Sequence, residues 1–102
     1  MHPVFAGRGF RVDYDGLAAH NVYSDDGQRV RYAIVDGPFA GASGESDCQW
    51  HELAPDLYAI SWQEANGATV VHIDDFQRGH SRAFFTTPDR QFFRMEGALT
   101  PL

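Results

Sequence analysis

The sequence predicts an all-β domain, a small antiparallel up-and-down β-barrel of about eight strands. Three observations carry that expectation. Short segments of alternating apolar and polar residues recur roughly every 8–12 residues, each bounded by Gly, Pro, Asn or Asp. No window holds an apolar i, i+3, i+4, i+7 pattern of helical length. Asn66-Gly67 lies between two of the segments, where a tight hairpin turn is expected.

Taken in order, Gly9 to Tyr14 alternates with Phe10, Val12 and Tyr14 on one face and is closed by Asp15-Gly16. Leu17 to Tyr23 follows and ends at Ser24-Asp25-Asp26-Gly27. Arg29 to Val35 places Val30, Tyr32 and Ile34 on one face and Arg29 and Arg31 on the other. Asp36-Gly37-Pro38 opens a loop rich in Gly, Ala and Ser, whose flexibility up to Gly44 suits a lid. Asp47 to Leu53 reads as the fourth strand, stopped by Ala54-Pro55-Asp56. Beyond the central hairpin, Gln77-Arg78-Gly79 turns the chain into Arg82 to Thr86. Thr87-Pro88-Asp89-Arg90 turns it again into Gln91 to Leu99. The stretch Met1–Ala6 is expected as a short helical turn or a segment lying across one end. A meander of this kind must cover its edges, and closure into a barrel of the lipocalin type removes them altogether.

The stretch from Leu57 to Phe76 is the centre of the chain. A two-residue type I′ turn at Asn66-Gly67 would set Glu64 opposite Thr69, Trp62 opposite Val71, Ile60 opposite Ile73 and Tyr58 opposite Asp75. These eight share one face, the heavier and more aromatic one, and are expected inward. Val70, His72, Asp74 and Phe76 are then expected outward with Leu57, Ala59, Ser61 and Gln63.

At 102 residues the chain is one domain, residues 1–102, with a single modest core. Eight Lys+Arg against fourteen Asp+Glu give a formal charge of −6, and there is no lysine. Such a balance disfavours nucleic acid and anionic membranes as partners, because neutralising phosphate needs Lys and Arg. Cys48 is the only cysteine, so no internal disulfide is expected. With no signal-peptide pattern at the N-terminus, a cytoplasmic location is expected.

The run SWQEANGATVVHIDDFQRG and the following AFFTTPDRQFFRMEGAL resemble the MoaF-like family, domains related to molybdenum-cofactor biosynthesis protein F. The resemblance covers most of the chain, is strongest from Leu57 to Leu99, and implies a lipocalin-like (calycin) barrel. A weaker similarity is to phenolic acid decarboxylases, carried by Tyr58, Ser61-Trp62, Glu64 and Gly67 and by Gly37 and Gly41. In that family the acid matching Glu64 is catalytic, with an arginine after the second glycine and two tyrosines on the first strand. Here Ala42 and Ser43 stand where the arginine belongs. Arg11 and Asp13 stand at the tyrosine positions, with Tyr14 adjacent.

Glu64, beside Trp62 on the expected inner face, is the principal candidate for a general acid or base, with Tyr14 assisting. Its structural alternative is a hydrated residue next to a turn. Tyr58, Trp62, Tyr32, Asp75 and His72 are the candidate ligand-binding residues. Asp75 either hydrogen-bonds Tyr58 or a ligand, or caps the turn at Gln77–Gly79 or pairs with Arg78. His72 and Asp74 lie two apart on what the pairing makes the outer face, where a solvated histidine is the simpler reading. The remaining histidines have no metal-ligand spacing, so no metal and no cofactor are expected. Two functions follow. One is a binding module for a small apolar or aromatic ligand. The other is a cofactor-independent lyase, isomerase or cyclase using Glu64 in the same cavity. Leu57 and Phe76, both expected outward, are the expected seed of a homodimer.

Overall fold

A computed structural model describes residues 2–102 of the chain. Its eight strands are β1 (Gly9–Tyr14), β2 (Leu17–Tyr23), β3 (Arg29–Asp36), β4 (Ser43–Ala54), β5 (Leu57–Gln63), β6 (Thr69–Asp75), β7 (His80–Thr86) and β8 (Phe92–Pro101). Each pairs antiparallel with the next, and β8 returns to β1, so the sheet is a closed up-and-down barrel. The described residues contain no helix. Every segment expected from turn chemistry is a strand. The loop after β3 is shorter than its glycine content suggests, because β4 already begins at Ser43.

Alternation places one residue in two inside. Phe10, Val12 and Tyr14 of β1 are buried, as are Val30 of β3 and Tyr58, Ile60 and Trp62 of β5. Arg29 and Arg31 face solvent, and Arg94 and Glu96 are exposed between the inward Phe93 and Met95. Within Met1–Ala6, Met1 lies outside the described residues; the remainder forms a turn that carries Phe5 into one end of the barrel. Phe5 is 0% exposed, edge-on to Tyr23 at 4.6 Å and Tyr58 at 5.3 Å and stacked on Phe76 at 5.5 Å. Aromatic pairs of this kind prefer such offset and edge geometries. That end is closed.

The central hairpin departs from expectation in its register. Trp62 lies opposite Val70, Ile60 opposite His72 and Tyr58 opposite Asp74. The cause is one extra residue in the turn. Gly67 N–H donates to Glu64 C=O at 2.9 Å and Glu64 N–H to Ala68 C=O at 2.8 Å, so Ala65-Asn66-Gly67 is a three-residue loop. Of its residues only Gly67 takes a positive φ, 97°, whereas a type I′ turn needs two. Asn66 instead uses its side-chain oxygen to accept from Ala68 N–H at 3.0 Å.

A one-residue slip exchanges the two faces of a strand. β5 keeps its expected inner face, but β6 is inverted: Val70, His72 and Asp74 are buried, while Val71 is 37% exposed. Asp75 pairs with Leu57 rather than Tyr58, and its carboxylate accepts from Gln77 N–H at 3.0 Å and Arg78 N–H at 2.9 Å. It caps the turn, as its structural alternative had it. Phe76 follows the inverted strand inward to pack on Phe5, Phe10 and Tyr58, so the Leu57–Phe76 pair expected to seed a dimer is not an exposed patch.

Candidate functional site

Inversion of β6 gives the barrel a polar interior on one side. Tyr14 of β1, His72 and Asp74 of β6 and Ser81 of β7 meet there, all buried. Ser81 Oγ lies 2.5 Å from Asp74 Oδ1 and 2.7 Å from the Tyr14 hydroxyl. His72 Nδ1 lies 3.3 Å from both Asp74 Oδ1 and the Tyr14 hydroxyl, and 3.4 Å from Ser81 Oγ. Proton counting assigns the directions. An ionised Asp74 accepts only, so Ser81 donates its one proton to it, and Tyr14 donates to Ser81. No hydroxyl proton remains for Nδ1, which must therefore carry its own and donate it to Asp74. In a neutral His72 this arrangement puts the ring proton on Nδ1 and leaves Nε2 bare.

Burial, then the Asp74 charge, pushes the Tyr14 phenol far above its usual range, so it stays a donor. Tyr23 is raised by the same two causes in the same order, with Cys48 and Tyr14 adding to them. Its buried hydroxyl has no hydrogen-bond partner. Burial also raises the Cys48 thiol, to about 11, and Sγ hydrogen-bonds Gly27 C=O at 3.3 Å, which leaves it inert.

Beside this network lies a cavity of about 50 Å³. Trp62 is its central wall. Its indole stacks on the His72 ring at 5.2 Å and on Tyr32 at 6.2 Å, both with 20° between the planes. Tyr32 keeps its place because its cross-strand partner is Gly44, where a Cβ would collide with the Tyr32 hydroxyl. Val12, Leu17, Ile34 and Met95 supply apolar surface, and Asn21 an amide. Glu64, just beyond β5, completes the lining, its Oε2 accepting from Trp62 Nε1–H at 3.3 Å. Burial raises its carboxyl above the usual range, and the indole hydrogen bond partly offsets the shift. Phe39, from the loop after β3, is edge-on to Phe85 and Phe93 at 6.1 Å; Phe85 also lines the cavity.

Of the residues singled out by sequence, Glu64, Tyr14, Trp62, Tyr32 and His72 come together at this cavity. Tyr58 and Asp75 do not: Tyr58 belongs to the aromatic plug at the closed end and Asp75 to a turn. His72 is buried rather than solvated. Ser81, Asn21 and Tyr23 carried no sequence signal, because a lone Ser, Asn or Tyr on a strand is common. Only the register places them. Among the described residues no group of three or more His, Cys, Asp or Glu is arranged to hold a metal ion. Nor do the described residues form a helix long and apolar enough to cross a membrane.

A closed eight-stranded meander plugged at one end, with an aromatic cavity and a buried polar network within, defines a small barrel domain with an internal pocket. The chain belongs to the MoaF-like family, whose model matches residues 6–100. A crystal structure from Burkholderia vietnamiensis, of a protein provisionally named a beta-lactamase, superposes with a TM-score of 0.96. The two are 55% identical over 100% of this chain and 99% of that one. Comparison with curated proteins finds no match.

Proposed function

We propose that this protein is a small-molecule-binding barrel whose ligand enters the cavity against Trp62 and is anchored by Glu64. The observation that carries this reading is the half-buried Glu64 carboxylate, held by the Trp62 indole in a mostly apolar and aromatic lining. A cavity with a few convergent polar groups is the usual form of a small-molecule site. Eight-stranded barrels have interiors that just fill with side chains or accommodate one small ligand. At about 50 Å³ the space suits the head of a ligand rather than a whole drug-sized molecule. Intrinsic tryptophan fluorescence during titration with small polar aromatic compounds tests the reading. Binding should perturb Trp62, and Trp62→Phe should remove the signal. A set of compounds that leaves the emission unchanged argues against it.

The enzyme reading is favoured by one specific observation. His72, oriented by Asp74, lines the same cavity as Glu64, so two side chains able to transfer protons border one space. A lyase, isomerase or cyclase needing no cofactor would use Glu64 and His72 as its acid–base pair. Glu64→Gln would then abolish turnover while leaving ligand affinity nearly intact. The lactamase name of the Burkholderia protein finds no comparable support in these residues. Ser81 is 0% exposed and spends its proton on Asp74, and the chain has no lysine to activate a serine.

A further inference from the structure

We propose that the cavity selects a small hydrogen-bond-donating cation, an amidinium, guanidinium or protonated amine head group, received by His72 Nε2 and the Glu64 carboxylate. The inference rests on the binding reading above and deepens it by naming the ligand's chemistry. It comes from asking which donors and acceptors at the cavity are already committed. The Trp62 Nε1 proton is spent on Glu64, and the Tyr14 proton on Ser81. The His72 Nδ1 proton is spent on Asp74. What remains for a ligand is chiefly acceptor capacity: the Nε2 of a neutral His72 and the lone pairs of Glu64. Asn21 and the Tyr32 hydroxyl are the uncommitted lining groups that can serve either way.

Charge points in the same direction. No Arg lines the cavity and the chain has no Lys, so neither permanent side-chain cation is there to receive an anionic ligand. Glu64 lies at the cavity and Asp74 directly behind His72, both acidic. The rings of Tyr14, Tyr32, Trp62 and Phe85 line the cavity, and aromatic rings attract organic cations through their quadrupole. A carboxylate placed here would meet acceptors and negative charge with nothing to pair with, at a desolvation cost. The ligand head must also be small, on the order of a few non-hydrogen atoms, to enter about 50 Å³.

Acetamidinium, acetamide and acetate share one planar frame and differ in charge, so they separate the claim from the binding reading beneath it. Each is titrated into the isotopically labelled protein in mildly alkaline buffer. About 0.15 M salt screens the acidic surface. The Trp62 indole N–H and the His72 ring resonances report on the cavity. Acetamidinium should bind with a dissociation constant in the millimolar range, about tenfold tighter than acetate, with acetamide between. Glu64→Gln should weaken acetamidinium about tenfold and leave acetamide within about twofold. His72→Asn, which keeps a donor near Asp74 but removes Nε2, should weaken both amide-type probes. Long-range nitrogen correlations on the wild type should show His72 protonated at Nδ1 and bare at Nε2. Acetate binding as tightly as acetamidinium, or a His72 protonated at Nε2 alone, overturns the cation selectivity while the binding reading stands. Silence of the cavity resonances to all three probes overturns both.

Discussion

The Trp62 indole N–H donates to Glu64 Oε2 at 3.3 Å, across two residues of one strand face, and so ties the main aromatic wall of the cavity to its one lining carboxylate. Alternation alone puts both on the same side of the ribbon. The half-buried position then makes the charged form of Glu64 costly, and the indole hydrogen bond recovers part of that cost.

A stability consequence follows from this pair. The folded protein holds the Glu64 proton more tightly than the unfolded chain does. As pH rises through the usual carboxylate range the unfolded chain therefore binds fewer protons, and stability falls. Below about pH 4 both states are protonated and the penalty vanishes. Glu64→Gln removes the ionisation and keeps an oxygen for the indole. Chemical denaturation at several pH values should find the variant more stable than wild type at neutral pH, with the difference closing as pH falls to about 4. A difference independent of pH contradicts the burial of this carboxyl.

Asp74 and Asp75 are sequence neighbours with opposite surroundings, which makes them a direct test of the β6 register. Asp74, 1% exposed, holds Ser81 and His72 inside the barrel, and its loss strands both. Asp74→Ala should cost about 2–4 kcal/mol. Asp75→Ala loses only the cap on Gln77 and Arg78 and should cost about 1 kcal/mol. Urea unfolding that ranks them the other way would restore the register of a two-residue turn, with His72 and Asp74 facing outward.

The turn itself can be shortened without changing that register. Deleting Ala65 leaves Asn66-Gly67 between Glu64 and Ala68, which already face each other, and Asn-Gly is well suited to a two-residue type I′ loop. Stability should change by no more than about 1 kcal/mol, and amide-exchange protection along β6 should be unaltered. Loss of protection at His72 and Asp74 is the contrary result.

Gly44, the cross-strand neighbour of Tyr32, tests the cavity wall. Adding a methyl group there displaces the Tyr32 hydroxyl, and the ring must leave its stack on Trp62. Gly44→Ala should lose about 1–2 kcal/mol, change the near-UV dichroism of Trp62, and weaken any cavity ligand. An unchanged dichroism spectrum would show that Tyr32 does not depend on this gap.

The strand count and the β1, β3, β5 and β8 faces were legible because they depend on local alternation and on punctuation such as Asp15-Gly16 and Thr87-Pro88. The register of β6 was not. Judged by hydrophobicity, Val71 and Ile73 belong inside and His72 and Asp74 outside. The structure reverses this because Tyr14 on β1 and Ser81 on β7 satisfy the buried pair. Tyr14 reaches β6 only when the barrel closes, and Ser81, on the next strand, meets Asp74 only through the β6–β7 register. One signal was available: Ala65-Asn66-Gly67 fits a type I turn ending in a left-handed glycine as well as Asn66-Gly67 fits type I′. Glu64 and Trp62 were found on their correct face because β5 precedes the turn. Tyr58 also keeps its inner face but packs under Phe5 away from the cavity, and Asp75 caps the turn, as its structural alternative had it.

The central claim is that the space beside Trp62 receives a small molecule, and crystallographic fragment soaking tests it most directly. The account predicts fragment density inside the barrel, against the Trp62 and Tyr32 rings and within hydrogen-bond reach of Glu64 or His72. Fragments found only on the outer surface, with the interior closed by its own side chains, would contradict it.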